Sequence, residues 1–123
     1  LIEYFNLEIF KSTNYSEQIF NSLNNNYLLI FFLACIVAPF CEELIFRGYL
    51  FKVIKEKSNI IFAVIINSLI FGAIHLEPSA IVPAAILGIA LSVIRIKTNS
   101  LLPSITIHTF HNLLALIVMS QIL

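Results

Sequence analysis

Four apolar stretches separated by short polar connections organise residues 27–123: Tyr27 to about Tyr49, Asn59 to Leu76, Ser79 to Ile94, and Ser100 to Leu123. A membrane-spanning helix needs about 20 mostly apolar residues, with roughly 17–25 tolerated. Each stretch therefore predicts one helix. The third is the shortest and carries Pro83 and Gly88, so it is expected to be kinked or partly re-entrant. Residues 1–26 differ, mixing aromatics with Glu3, Glu8, Lys11 and Glu17 and closing in Asn21-Ser-Leu-Asn-Asn-Asn26. Asn-rich clusters favour turns and helix ends, which predicts an interfacial or loop segment there. The expected architecture is all-α: one domain over 27–123, a polytopic transmembrane bundle of about four spans.

Composition agrees with that pattern. Hydrophobic residues make up 59% and charged residues 11% of the chain, with a mean hydropathy of +0.96. Soluble domains are about 45–50% apolar and about 25% charged, so the chain falls in the membrane class, with lipids as its surroundings. The net charge is zero and no basic run occurs, so nucleic acid is not an expected partner. The chain opens at Leu1, and its first 26 residues lack a charged segment followed by an apolar core. That reads as an excerpt of a longer protein without a secretory signal. Cys35 and Cys41 both fall in an apolar helix, which argues against a disulfide framework.

The cations set an orientation. Arg47, Lys52, Lys55 and Lys57 cluster between the first and second stretches, and Arg95 and Lys97 lie between the third and fourth. Both loops are cytoplasmic by the positive-inside rule, as alternating spans allow. At about 1.5 Å per residue, Glu42 lies roughly 15 Å from Lys52, and His108 roughly 14 Å from Asn99. His75 lies roughly 27 Å from Lys57 and meets the others only if its helix starts late or tilts.

Ionised side chains at bilayer depth cost a few kcal/mol or more, so those that occur there merit a search for use. The first group is Glu42-Glu43-Leu-Ile-Phe-Arg47. Glu43 and Arg47 are four apart on one helix face and are expected to pair. Glu42 is rotated by about 100° and can face a different cavity, where apolar surroundings suit a general base. The competing reading is a helix end whose charges snorkel to the interface. The second group is Phe71-Gly-Ala-Ile-His75. Phe71 stands one turn before His75, and Gly72 and Ala73 admit a close neighbouring helix. Alternatively, His75 is a hydrogen-bonded packing residue.

The third group is His108-Thr-Phe-His-Asn112. His108 and Asn112 are four apart and can offer two donors to one developing oxyanion. His111 ranks as a neighbour. Interhelical hydrogen bonding is the plainer role for His108 and Asn112, and the only one expected of Asn67, Ser68 and Ser92. The chain has no H-E-x-x-H, no G-x-S-x-G and no aspartate at all, which removes a zinc-protease helix, a serine elbow and an aspartyl dyad. Cys41 as a nucleophile is disfavoured, because a thiol in apolar surroundings is usually inert.

Taken in order, the three groups resemble the signature of the CPBP family of intramembrane proteases, which includes the type II CAAX prenyl endopeptidases and bacteriocin-immunity relatives. Its pattern of E-E-x-x-x-R, F-x-x-x-H and H-x-x-x-N is matched by Glu42-Glu43…Arg47, Phe71…His75 and His108…Asn112. The resemblance implies an all-helical peptidase acting near the C-terminus of a lipidated or membrane-embedded peptide in a bacterial cell membrane. It also implies that Glu42 and His75 activate water, that His108 and Asn112 hold the oxyanion, and that Glu43, Arg47 and Phe71 support them. Glu42, His75 and His108 can equally be drawn around a zinc ion; the metal-independent scheme is preferred. The family usually has more spans than four, so this chain resembles its catalytic core. Two other classes remain open: a non-catalytic immunity factor binding a bacteriocin or its receptor, and a small transporter with a proton relay. The transporter would show inverted repeats, and none is visible.

Overall fold

A computed structural model describes residues 26–75 and 78–122, and every regular element among them is helical. Four helices result. Helix α1 is a continuous 30-residue rod, Leu28–Lys57. It is followed by α2 (Ile60–Ala73), α3 (Pro78–Thr98) and α4 (Leu102–Ile122). The expectation for 1–26 falls outside the described residues except at Asn26. There the side-chain oxygen accepts the Leu29 N–H at 3.2 Å, an N-cap for α1. Asn59 caps α2 in the same way, accepting the Phe62 N–H at 2.9 Å.

The helix ends depart from the sequence expectation in three places. Helix α1 does not stop near Tyr49 but continues to Lys57, because Lys55 and Lys57 in its last turn complement the negative end of the helix dipole. Helix α2 has only 14 residues, about 21 Å, and ends at Ala73 rather than Leu76. Helix α3 is not the shortest: it runs unbroken for 21 residues through Pro83. Two helices, α1 and α3, are long and apolar enough to cross a membrane, whereas α2 and Leu102–Val118 are shorter apolar helices. Only 22% of each long apolar window is buried, so most of both faces outward, as lipid-facing surface does. The chain is a membrane protein.

Helix α1 alternates between two windings. It is α-helical over Tyr27–Phe31, Ala38–Glu43 and Phe51–Lys57, and π-helical over Phe32–Val37 and Leu44–Leu50. Pro39 supplies a reason for the first π segment. Ala38 N–H bonds to the Leu33 carbonyl, five residues back. The next donor in that register would be residue 39, facing the Ala34 carbonyl, and proline has no N–H. The wider turn leaves one carbonyl for another partner.

Helices α2 and α3 pack closely because their contact residues are small. A Cβ on Gly72 would fall 2.6 Å from the Ile81 carbonyl oxygen, and one on Gly88 would fall 3.1 Å from Ser68 Cα. A buried apolar cluster of Phe46, Phe71 and Ala84, with Leu50 against it, joins α1, α2 and α3. The polar residues at this contact behave differently from expectation. Ser92 bonds within its own helix to the Gly88 carbonyl at 2.8 Å. Asn67 and Ser68 are buried with no hydrogen-bond partner among the described residues.

Candidate active site

The polar residues of three helices lie at one depth. Gly48 of α1 neighbours Leu101 at the start of α4, with a Cβ on Gly48 falling 3.4 Å from Leu101 Cδ1. From that level, Glu43 lies about 7 Å and His108 about 10 Å further into the bundle. Helix α1 runs nine residues beyond Gly48 to Lys57, so measuring His75 from Lys57 made it look too remote. Relative to Gly48, His75 lies about 13 Å along, within about one helical turn of the others.

His108 is the centre of the arrangement. It is buried, with Nδ1 3.0 Å from Glu43 Oε1 and Nε2 3.6 Å from Glu42 Oε2. The expected Glu43–Arg47 pair is present, Arg47 Nη1 donating to the same Glu43 Oε1 at 2.9 Å with both side chains fully buried. Arg47 also donates through Nη2 to the Gly88 carbonyl at 3.1 Å, tying α1 to α3. Glu42 does not face a separate cavity: both adjacent glutamates reach His108, one at each ring nitrogen. They differ in access, since the Glu42 side chain is 28% exposed and that of Glu43 is 0%. Glu42 Oε2 is enclosed and has no hydrogen-bond partner among the described residues.

Phe71 connects the two imidazoles. Its ring is fully buried and meets His75 edge-on at 5.1 Å and His108 at 5.5 Å between centroids. The Arg47 guanidinium carbon lies 4.3 Å from the same ring centre, a cation–π contact. Phe46 closes the remaining edge at 5.1 Å. His75 lies just beyond the end of α2, and its Nδ1 is 2.8 Å from the Phe71 carbonyl. A carbonyl can only accept, so Nδ1 carries the proton and Nε2 keeps its lone pair. No hydrogen bond or ion pair joins His75 to Glu42 among the described residues.

Asn112 takes the carbonyl that Pro39 leaves over. Its Nδ2 donates to the Ala34 oxygen at 2.9 Å, bridging α4 to α1. This is the interhelical bond the sequence allowed as an alternative. An amide nitrogen has two N–H groups, so one donor remains. His111 is exposed and outside the cluster.

Zinc would need at least three protein ligands at about 2.0–2.2 Å. Among the described residues no three His, Cys or carboxylate side chains are grouped to hold a metal ion. As placed, Glu42, His75 and His108 are not gathered as a zinc ligand set.

Sequence reasoning missed the Glu43–His108 contact, which joins residues 65 apart and leaves no local mark. The acceptor role of Gly88 was also unmarked. Pro39, in contrast, was a readable signal, because a proline inside a long helix must leave a carbonyl unclaimed.

A family model for the type II CAAX prenyl endopeptidase Rce1-like proteins matches residues 24–114. The Bacillus subtilis (strain 168) protein described as "Putative membrane peptidase YdiL" is 29% identical over 111 residues. That alignment covers 90% of this chain and 45% of the relative, so the chain spans less than half of that protein's length. No solved structure matches. With three-quarters of its length matched, including every residue of the cluster around His108, the chain belongs to the type II CAAX prenyl endopeptidase Rce1-like family.

Proposed function

We propose that the full-length protein is an intramembrane endopeptidase that hydrolyses a peptide bond near the C-terminus of a lipidated or membrane-embedded peptide. The site would open to the cytoplasmic side of a bacterial cell membrane. One observation carries the reading: the Glu42 side chain is 28% exposed, and its enclosed Oε2 lies 3.6 Å from a fixed imidazole nitrogen. A water that reaches the exposed part of this carboxylate can hydrogen-bond to it at about 2.6–3.2 Å.

In this scheme Glu42 takes a proton from water, and the resulting hydroxide attacks the scissile carbonyl carbon. His75 Nε2, its lone pair free because Nδ1–H is given to Phe71, orients the same water. Charge develops on the carbonyl oxygen. His108 meets it with an Nε2–H, present in the imidazolium form because Nδ1–H is already given to Glu43, and Asn112 adds its second amide N–H. Preorganised donors of this kind are worth a few kcal/mol each in the transition state. The intermediate collapses as the C–N bond breaks, and the proton held by Glu42 passes to the departing amine.

The test is Glu42→Gln in the full-length protein, assayed on a lipidated C-terminal peptide. Glutamine keeps the size and hydrogen-bonding capacity of the side chain but is no base. Turnover should fall about 10²-fold or more with folded yield little changed. Undiminished cleavage would remove Glu42 as the base. Full in-cell toxin protection without any cleavage in either protein would move the function to a binding role.

A further inference from the structure

The ends of α1 and α3 enclose a second polar site, which adjoins the glutamate–histidine cluster at Arg47. A cavity of about 160 Å³ there is lined by Arg47, Lys52, Lys55, Arg95 and Asn99, with Phe51 at its wall. Among the described residues no carboxylate lines it. Arg47 is paired with the buried Glu43, which leaves Lys52, Lys55 and Arg95 as three cations around one small space, where what surrounds them offsets little of their charge. Lys52 reaches Glu56 only at 4.0 Å with both side chains exposed, a contact of little strength. Arg95 Nη1 donates to the neutral Asn99 Oδ1 at 3.3 Å. Asn99 is held in place by a left-handed backbone (φ 50°), a conformation asparagine tolerates.

Three cations with no carboxylate among the described lining residues ask for an anion with several oxygens. The volume of about 160 Å³ admits a single phosphate group.

The source of that phosphate follows from position. The cavity sits where the long apolar windows of α1 and α3 give way to cations. On those helices Ile45 and Tyr49 are 56% and 69% exposed, and Ile96 is exposed too. A phospholipid places its phosphate at that level and its acyl chains along such side chains. We propose that this cavity binds the phosphate of an anionic phospholipid, anchoring the ends of α1 and α3 at the membrane surface. The proposal does not depend on the peptidase reading.

The test measures lipid retained by full-length protein in zwitterionic phosphatidylcholine nanodiscs doped with phosphatidylglycerol, read by native mass spectrometry. Wild type should retain phosphatidylglycerol saturably and in preference to phosphatidylcholine. The Lys55→Gln/Arg95→Gln double variant should bind it roughly thirtyfold more weakly, the scale of removing two cations at an anionic surface. Lys55→Arg/Arg95→Lys, which keeps both charges, should recover most of the retention and guards against misfolding as the cause. Equal retention of the two lipids by wild type, or unchanged retention in the double variant, would overturn the proposal. Inorganic phosphate raising the melting temperature as much as a short-chain phosphatidylglycerol at equal concentration would assign the cavity to soluble phosphate and overturn it too.

Discussion

Glu43 holds His108 through the same carboxylate oxygen that it gives to Arg47, at 3.0 Å from the imidazole Nδ1 and 2.9 Å from the guanidinium. One oxygen therefore fixes the salt bridge within α1 and the ring of a residue on α4. Its partner oxygen is buried without a hydrogen bond. The pair is thus more than a helix brace: it sets which His108 nitrogen faces Glu42. Sequence spacing alone assigned Glu43 only to Arg47.

Removing Arg47 is expected to damage both folding and activity. Arg47→Ala strands a fully buried carboxylate and opens the link to the Gly88 carbonyl. Breaking a buried pair from one side costs roughly 3–5 kcal/mol. Folded yield in membranes should drop, with whatever folds showing weakened turnover. Normal abundance together with normal activity would argue that the pair supports nothing.

Hydropathy showed four helices and an all-α bundle because lipid imposes that pattern on any chain that crosses it. The spacings four apart in Glu43–Arg47 and Phe71–His75 were readable because a helix places such residues together. The end of α1 was not, since lysines that read as a loop also stabilise a helix C-terminus. That error propagated into the depth of His75, which looked too far from Glu42 until α1 was seen to extend beyond Gly48. The meeting of Glu43 with His108, and of Arg47 with Gly88, is long-range and left nothing local to read. Asn67 and Ser68 looked like interhelical donors, but both are buried with no hydrogen-bond partner among the described residues.

Two glycines should respond very differently to one added methyl. At Gly72 a Cβ would lie 2.6 Å from the Ile81 oxygen and 2.9 Å from Ala85 Cβ, so α2 and α3 must move apart. At Gly48 the nearest atom is the tip of Leu101, at an ordinary 3.4 Å. Overpacking of this kind costs about 1–3 kcal/mol, so Gly72→Ala should lower thermal stability in detergent while Gly48→Ala leaves it nearly unchanged. Equal stability of the two variants would contradict the close approach of α2 and α3. Because Phe71 stands next to Gly72 and touches both imidazoles, Gly72→Ala should also reduce activity.

Pro39 and Asn112 are expected to be energetically coupled although they lie on different helices. Proline withholds the N–H that the Ala34 carbonyl would otherwise receive, and Asn112 supplies one instead at 2.9 Å. Asn112→Ala in an otherwise native chain leaves that carbonyl unpaired, a loss of about 1–3 kcal/mol. With Pro39→Ala already present, the new backbone N–H can reach the carbonyl, and the same Asn112→Ala change should cost much less. A double-mutant cycle on unfolding should therefore return a coupling of about 0.5–3 kcal/mol. A coupling near zero would show that Pro39 is not the reason Asn112 is needed. The cycle also separates the two roles of the amide. If Asn112 serves only to repair α1, peptidase activity should recover along with stability in the double variant. If its second N–H holds the oxyanion, stability should recover while turnover remains about 10²-fold down.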